Sequence, residues 1–156
     1  GMAGCERRGG GLGKNHEGGL SSDPQNHAVM GAERAMKVEK VADDIPLQTV
    51  YGSDCGKLLV VGWGGTYGHL LSAVQEAREG GLDVSLAHFD YILPLPKNTE
   101  DIFSRYERIL VCELNNGHFV NYLRGRLPQF NYLQFNKVQG QPFLVQEIIK
   151  AIKDNL

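Results

Sequence analysis

The chain is patterned by short apolar runs, each closed by glycine or polar residues and followed by a stretch whose apolar residues recur three and four apart. Leu58-Leu59-Val60-Val61 is wholly apolar and half β-branched, and reads as a strand buried on both faces. It breaks at Gly62, and glycines recur at 64, 65 and 68. Leu70, Leu71, Val74 and Ala77 then share one side of a helix that Gly80-Gly81 stops. Val84-Ser85-Leu86-Ala87-His88-Phe89 repeats the strand signal. Pro94 and Pro96 hold residues 90–96 in a loop. Asn98 with Asp101 reads as the cap of a short helix reaching about Tyr106, and Arg108-Ile109-Leu110-Val111-Cys112-Glu113 is a third buried strand. Asn115-Asn116-Gly117 turns the chain into a helix carrying Phe119, Val120, Leu123 and Leu127. Tyr132-Leu133-Gln134-Phe135 is a fourth strand, and Pro142 opens a last helix with Leu144, Val145, Ile148, Ile149 and Ile152 on one side. Thr49-Val50-Tyr51 before Gly52 adds a short edge strand.

This alternation predicts an α/β fold, three layers α/β/α around a mostly parallel sheet, over residues 48–156. Right-handed crossovers place the turns after Val61, Phe89, Glu113 and Phe135 along one edge, where open α/β sheets hold ligands. Upstream, residues 1–27 read as a flexible glycine-rich segment, with Gly1 ahead of Met2 as a tag scar. Residues 28–47 read as a polar helix and linker. Asp23 suits its N-cap and Pro24 its first turn, and its apolar side (Val29, Met30, Met36, Val41) is thin enough to suggest docking on another surface.

Composition narrows the class only modestly. With 156 residues, 42% hydrophobic and 22% charged, the chain fits one globular domain with an appendage. A net charge of −2 without a Lys/Arg stripe argues against nucleic acid as a partner. No apolar run approaches the roughly 20 residues that span a bilayer. The three scattered cysteines, Cys5, Cys55 and Cys112, predict neither a disulfide framework nor a metal site, so the cytoplasm is the expected compartment.

The candidate chemistry gathers at two turns. Gly62, Gly64, Gly65, Thr66 and Gly68 form a turn close to the dinucleotide fingerprint, but Tyr67 stands where its third glycine belongs. Asp90, ending the second strand, sits where a ribose-binding acid would. The alternatives are a small nucleotide- or CoA-phosphate-binding module, or a plain turn in which Gly68 admits close helix–strand packing. Glu113, Asn115, Asn116 and Gly117 could present a carboxylate and amides to a ligand or subunit, or simply cap a helix. His69 and His118 both fall in first helical turns on this edge and could approach each other, as a metal or acid–base pair. No catalytic triad, nucleophile elbow or metal-ligand spacing emerges.

Taken in order, these motifs resemble the alpha subunit of 2-oxoacid:ferredoxin oxidoreductases, particularly the 2-oxoglutarate type. The resemblance lies in Leu59-Val60-Val61-Gly62-Trp63-Gly64-Gly65-Thr66-Tyr67-Gly68 with Ala73 and Val74, Leu93-Pro94-Leu95-Pro96, Val111-Cys112-Glu113-Leu114-Asn115-Asn116-Gly117, and Gly140-Gln141-Pro142-Phe143. Upstream, Gly11-Leu12-Gly13-Lys14-Asn15-His16-Glu17-Gly18 and Asp23-Pro24-Gln25-Asn26-His27, with Arg34 and Lys37, resemble the family's connector into this domain. The resemblance implies a transketolase C-terminal-domain-like fold: a five-stranded sheet whose first strand, near residues 49–51, runs antiparallel. It also implies the whole enzyme's reaction, thiamine-diphosphate-dependent oxidative decarboxylation of a 2-oxoacid to acyl-CoA, with ferredoxin as acceptor. The complete enzyme would use thiamine diphosphate, CoA and iron–sulfur clusters. The resemblance puts the diphosphate half of the thiamine cofactor on the beta subunit and its pyrimidine half on the pyrimidine-binding domain, this chain's expected partners. The 62–68 and 113–117 turns would then face the partner subunit, helping to order the cofactor cleft or a CoA path. The chain itself is expected to carry no cofactor and no catalytic residue, to be inactive alone, and to lend structure and subunit contacts. Asp90 departs from the basic residue that relatives often carry at that strand end. Self-association, through a sheet edge or an apolar patch left bare by missing neighbours, is a further expectation.

Overall fold

The computed structural model describes Ala3, Gly11 and residues 13–156; Cys5 and Arg7-Arg8, with part of the expected flexible segment, lie outside the described residues. The chain divides into two compact units, up to Asp44 and from Ile45. In the first, residues 13–21 make a tight turn: Lys14 and Leu20 form an antiparallel bridge, and Gly18 supplies a positive φ of 83°. Helix α1 (Pro24–Glu39) follows, with Asp23 as N-cap accepting from the Gln25 and Asn26 amides and Pro24 in its first turn. It buries none of its residues, and Val29 and Met36 are exposed. No helix among the described residues is long and apolar enough to cross a membrane.

The second unit is built on four parallel strands, β1 (Gly56–Trp63), β2 (Val84–Phe89), β3 (Tyr106–Glu113) and β4 (Tyr132–Asn136), in the order β2-β1-β3-β4. Helices α2 (Tyr67–Glu79), α3 (Thr99–Phe103), α4 (His118–Arg126) and α5 (Val145–Asp154) cover both faces. Alternate side chains of each strand enter opposite cores, as a period of two requires. Leu58, Val60, Leu86, Leu110 and Cys112 pack with Leu70, Val74, Ile148 and Ile152 of α2 and α5. Leu59, Val61, Phe89, Ile109 and Val111 pack with Ile102, Phe103, Phe119 and Leu123 of α3 and α4. The expected three-layer α/β/α architecture is present.

Several expected details differ. The antiparallel fifth strand shrinks to one bridge, Tyr51 to Leu86, with paired amide–carbonyl bonds of 2.8 and 2.9 Å. Gly52 ends it by taking φ 113°, a conformation that favours glycine, and Ser53 then folds onto Ser85 at 3.0 Å. On the other side, Gln48 is drawn away by Asn98, whose amide side chain bonds its backbone at 2.8 and 2.9 Å. Asn98 therefore clamps the incoming chain and makes no side-chain cap to α3, which stops at Phe103 so that Tyr106 opens β3. Pro142 lies ahead of α5, which starts at Val145. There Glu147 turns back to accept the Leu144 amide at 2.9 Å and holds the Lys137 ammonium at 2.7 Å.

Candidate functional site

Parallel pairing brings the carboxyl ends of all four strands to one rim, with Trp63 beside Phe89 and Glu113 beside Asn136 in register. The turns at 62–68 and 113–117 therefore share that rim. The strand order reverses between β1 and β3, the switch point where open α/β sheets leave a crevice. Here the crevice is closed. The Trp63 indole donates to Glu113 Oε2 at 3.3 Å and stands edge-on to Phe119, with ring centroids 6.4 Å apart.

Glu113 is 1% exposed, and its carboxylate accepts the Phe119 and Val120 amides at 2.8 and 2.9 Å. It thus satisfies free donors in the first turn of α4 and opposes the positive end of that helix. This corrects the expectation of a carboxylate presented outward: Glu113 binds inside the chain. Asn115 Oδ1 accepts from the Gly117 and His118 amides, both at 2.8 Å, and Gly117 is the N-cap of α4 without a side-chain cap bond of its own. Gly117 enters α4 at φ 86°, and a Cβ there would meet Val120 at 3.1 Å and Asn136 at 3.2 Å. Asn116 and Leu114 are the members of the turn that face solvent.

The glycine turn divides its work differently from expectation. Gly62 is the close-packing position, since a Cβ there would lie 2.1 Å from Leu70 Cδ1. Gly68, expected in that role, faces open space, as do Gly64 and Gly65. Gly64 takes φ 59° to start the 3-10 turn (Gly64–Thr66) that leads into α2. Thr66 is buried, and its hydroxyl donates to the Trp63 carbonyl at 2.9 Å. His69 and His118 do not meet: α2 and α4 lie on opposite faces of the sheet, and no contact joins the two rings among the described residues.

Open space on the rim lies instead at the outer edge of β2. A cleft of about 340 Å³ is lined by Thr49, Tyr51, Gly64, Tyr67, Leu86, His88 and Asp90. His88 Nε2 lies 3.3 Å from Thr66 Oγ1, and the Tyr67 ring stands edge-on to the imidazole at 5.1 Å. Burial lowers the His88 pKa from its ordinary 6.5, with Asp90 acting in the opposite sense. Of these residues the sequence reading had weighed Gly64 and Asp90 as ligand-binding positions, and had placed the others only in strands or in the glycine turn. The available signal was the alternation Leu86, His88, Asp90, which aims a polar pair along one face of an edge strand. Burial pushes the Cys112 thiol far up, which leaves it no nucleophile at neutral pH.

The fold defines the class first, a transketolase-like α/β domain. A split-gene transketolase, an inactive beta4 tetramer, superposes with a TM-score of 0.52 at 10% identity over 68% of this chain and 42% of its own. The 2-oxoglutarate:ferredoxin oxidoreductase from Magnetococcus marinus, solved with 2-oxoglutarate, coenzyme A and succinyl-CoA bound, gives 0.85 at 22% identity over 99% of this chain and 27% of its own. In sequence, 2-oxoglutarate oxidoreductase subunit KorA from Mycobacterium tuberculosis is 34% identical over 155 residues, 98% of this chain and 23% of the relative. The alpha subunit of 2-oxoacid:ferredoxin oxidoreductase 1 from Aeropyrum pernix is 27% identical over 144 residues, 88% of this chain and 22% of the relative. No family model matches. The resemblance read from the motifs therefore stands: the chain is related, over nearly its whole length, to 2-oxoacid oxidoreductase alpha subunits. It spans under a quarter of the length of those curated relatives.

Proposed function

We propose that this chain is the C-terminal domain of the alpha subunit of a thiamine-diphosphate-dependent 2-oxoglutarate:ferredoxin oxidoreductase. In this reading it lends structure and subunit contacts rather than chemistry. The observation that carries the reading is 34% identity across 98% of the chain to a 2-oxoglutarate oxidoreductase subunit. The rim is consistent with it. Its two central turns are locked internally by Glu113, Asn115 and Thr66, which leaves a fixed surface of Gly64, Gly65, Leu114 and Asn116.

The metal-ligating side chains among the described residues do not suit the metals of the complete enzyme. Cys55 is exposed, Cys112 is buried within the sheet, and no three His, Cys, Asp or Glu side chains gather among the described residues. Such a set suits neither an iron–sulfur cluster nor the divalent ion that accompanies a diphosphate. Those groups are assigned, in this reading, to the pyrimidine-binding domain and beta subunit.

The assay is 2-oxoglutarate- and CoA-dependent viologen reduction. The chain alone should give none; co-expressed with the pyrimidine-binding domain and beta subunit it should support turnover. Turnover by the isolated chain would overturn the proposal. The competing reading, a nucleotide or CoA-phosphate module on the 62–68 turn, rests on the open space over Gly64, Gly65 and Gly68. Phosphate there would approach the Asp90 carboxylate, and neither Lys nor Arg lines the neighbouring cleft. Calorimetric titration with NAD, ATP and CoA should therefore give no heat of binding.

A further inference from the structure

The cleft at the outer edge of β2 is chemically unlike the rest of the rim. Three aromatic rings line it: Tyr51 and Tyr67, 43% and 52% exposed, and the half-buried His88. The His88 ring is positioned from below by Thr66 and from the side by Tyr67. Burial lowers its pKa from 6.5 and so favours the neutral ring at pH 7. That leaves Asp90 as the only formal charge in the lining. Its carboxylate is exposed, and no hydrogen bond or ion pair engages it among the described residues.

Aromatic faces are the negative end of the ring quadrupole, and a cation over them gains about 0.5–2 kcal/mol depending on desolvation. A carboxylate at the mouth adds attraction of the same sign, whereas an anion would be repelled by both. The volume, about 340 Å³, sits at the small end of ligand pockets and suits one side chain better than a dinucleotide.

We propose that this cleft receives an organic cation, the guanidinium or ammonium of an Arg or Lys side chain offered by a partner chain, seated against Tyr51, Tyr67 and His88 with its charge on Asp90. Recognition of the cation follows from the lining alone. Its source in a partner chain rests on the subunit-contact reading: the cleft opens on the same rim, and over three quarters of the length of the curated relatives lies outside this chain.

The test is an NMR titration of the full chain with N-acetyl-argininamide, its neutral citrulline counterpart, and agmatine as a free small cation. The arginine probe should shift the His88 and Tyr67 ring signals saturably in the millimolar range, and the citrulline probe should not. Asp90→Asn and Tyr67→Leu should each weaken binding about fivefold or more, roughly 1 kcal/mol, with the remaining spectrum unchanged as the folding control. Equal saturation by citrulline, binding indifferent to Asp90→Asn, or displacement of the probe by NAD at lower concentration would overturn the proposal. Agmatine binding at least tenfold tighter than the arginine probe would overturn a partner side chain as the source. Either failure leaves the subunit reading intact, since that reading is judged by turnover.

Discussion

At the end of β3 the Glu113 carboxylate accepts two amides of α4 and the Trp63 indole, so one side chain ties the β1 turn, the β3 turn and a helix start together. Glu113→Ala would strand these buried donors. We expect a loss of about 3 kcal/mol in denaturant unfolding and a shift in Trp63 emission, with Glu113→Gln losing about 1. The glycines give a sharper contrast. Gly62→Ala, whose Cβ would collide with the fully buried Leu70, should cost about 1–3 kcal/mol. Gly68→Ala meets nothing within 4 Å and sits in a helix, so it should stabilise by about 0.5–1 kcal/mol. Burial places the folded-state His88 pKa below its unfolded value of 6.5. The unfolded chain therefore takes up a proton that the folded chain refuses, and this contribution to stability, complete above pH 6.5, is lost as pH falls below it. Asp90 opposes the shift, so Asp90→Asn should lower the His88 midpoint further in an NMR titration. A rise would contradict the assignment.

Among the elements, the strands were legible because each is an uninterrupted apolar run, and burial on both faces leaves no other reading for Leu58-Leu59-Val60-Val61 or Ile109-Leu110-Val111. The edge strand at residues 49–51 was not, because its length depends on two remote contacts, Gln48 with Asn98 and Ser53 with Ser85. Spacing alone also cannot say which way a Cα faces, so the sequence reading gave Gly68 the close-packing role that Gly62 holds. Glu113 illustrates the same limit: a polar residue ending a strand looks outward until the helix that needs it is in place. The start of α5 moved for a comparable reason, since Glu147 rather than Pro142 makes the cap. The hydrogen bond from Lys137, then the Leu144 amide, holds the Glu147 carboxyl below its ordinary 4.5. Its stabilising effect is present above pH 4.5 and fades as pH falls below that value, so Glu147→Gln should flatten the acid limb of the unfolding curve.

At the scale of the whole domain, the four-stranded sheet sets where its turns and its openings fall. Four parallel strands bring their turns to one rim, the switch-point crevice is filled by Trp63, Phe119 and Glu113, and a cleft lies at the edge of β2. The contact role proposed for this rim makes a prediction about which residues become protected on assembly. Hydrogen–deuterium exchange of the chain, alone and mixed with the pyrimidine-binding domain and beta subunit proposed as its partners, tests this most directly. We predict protection confined to residues 63–68 and 114–118 and to the 49–51 and 88–91 margins of the cleft, with the outer faces of α2 and α5 unchanged. Protection of those outer helical faces, with the rim exchanging as freely as in the isolated chain, would contradict the account.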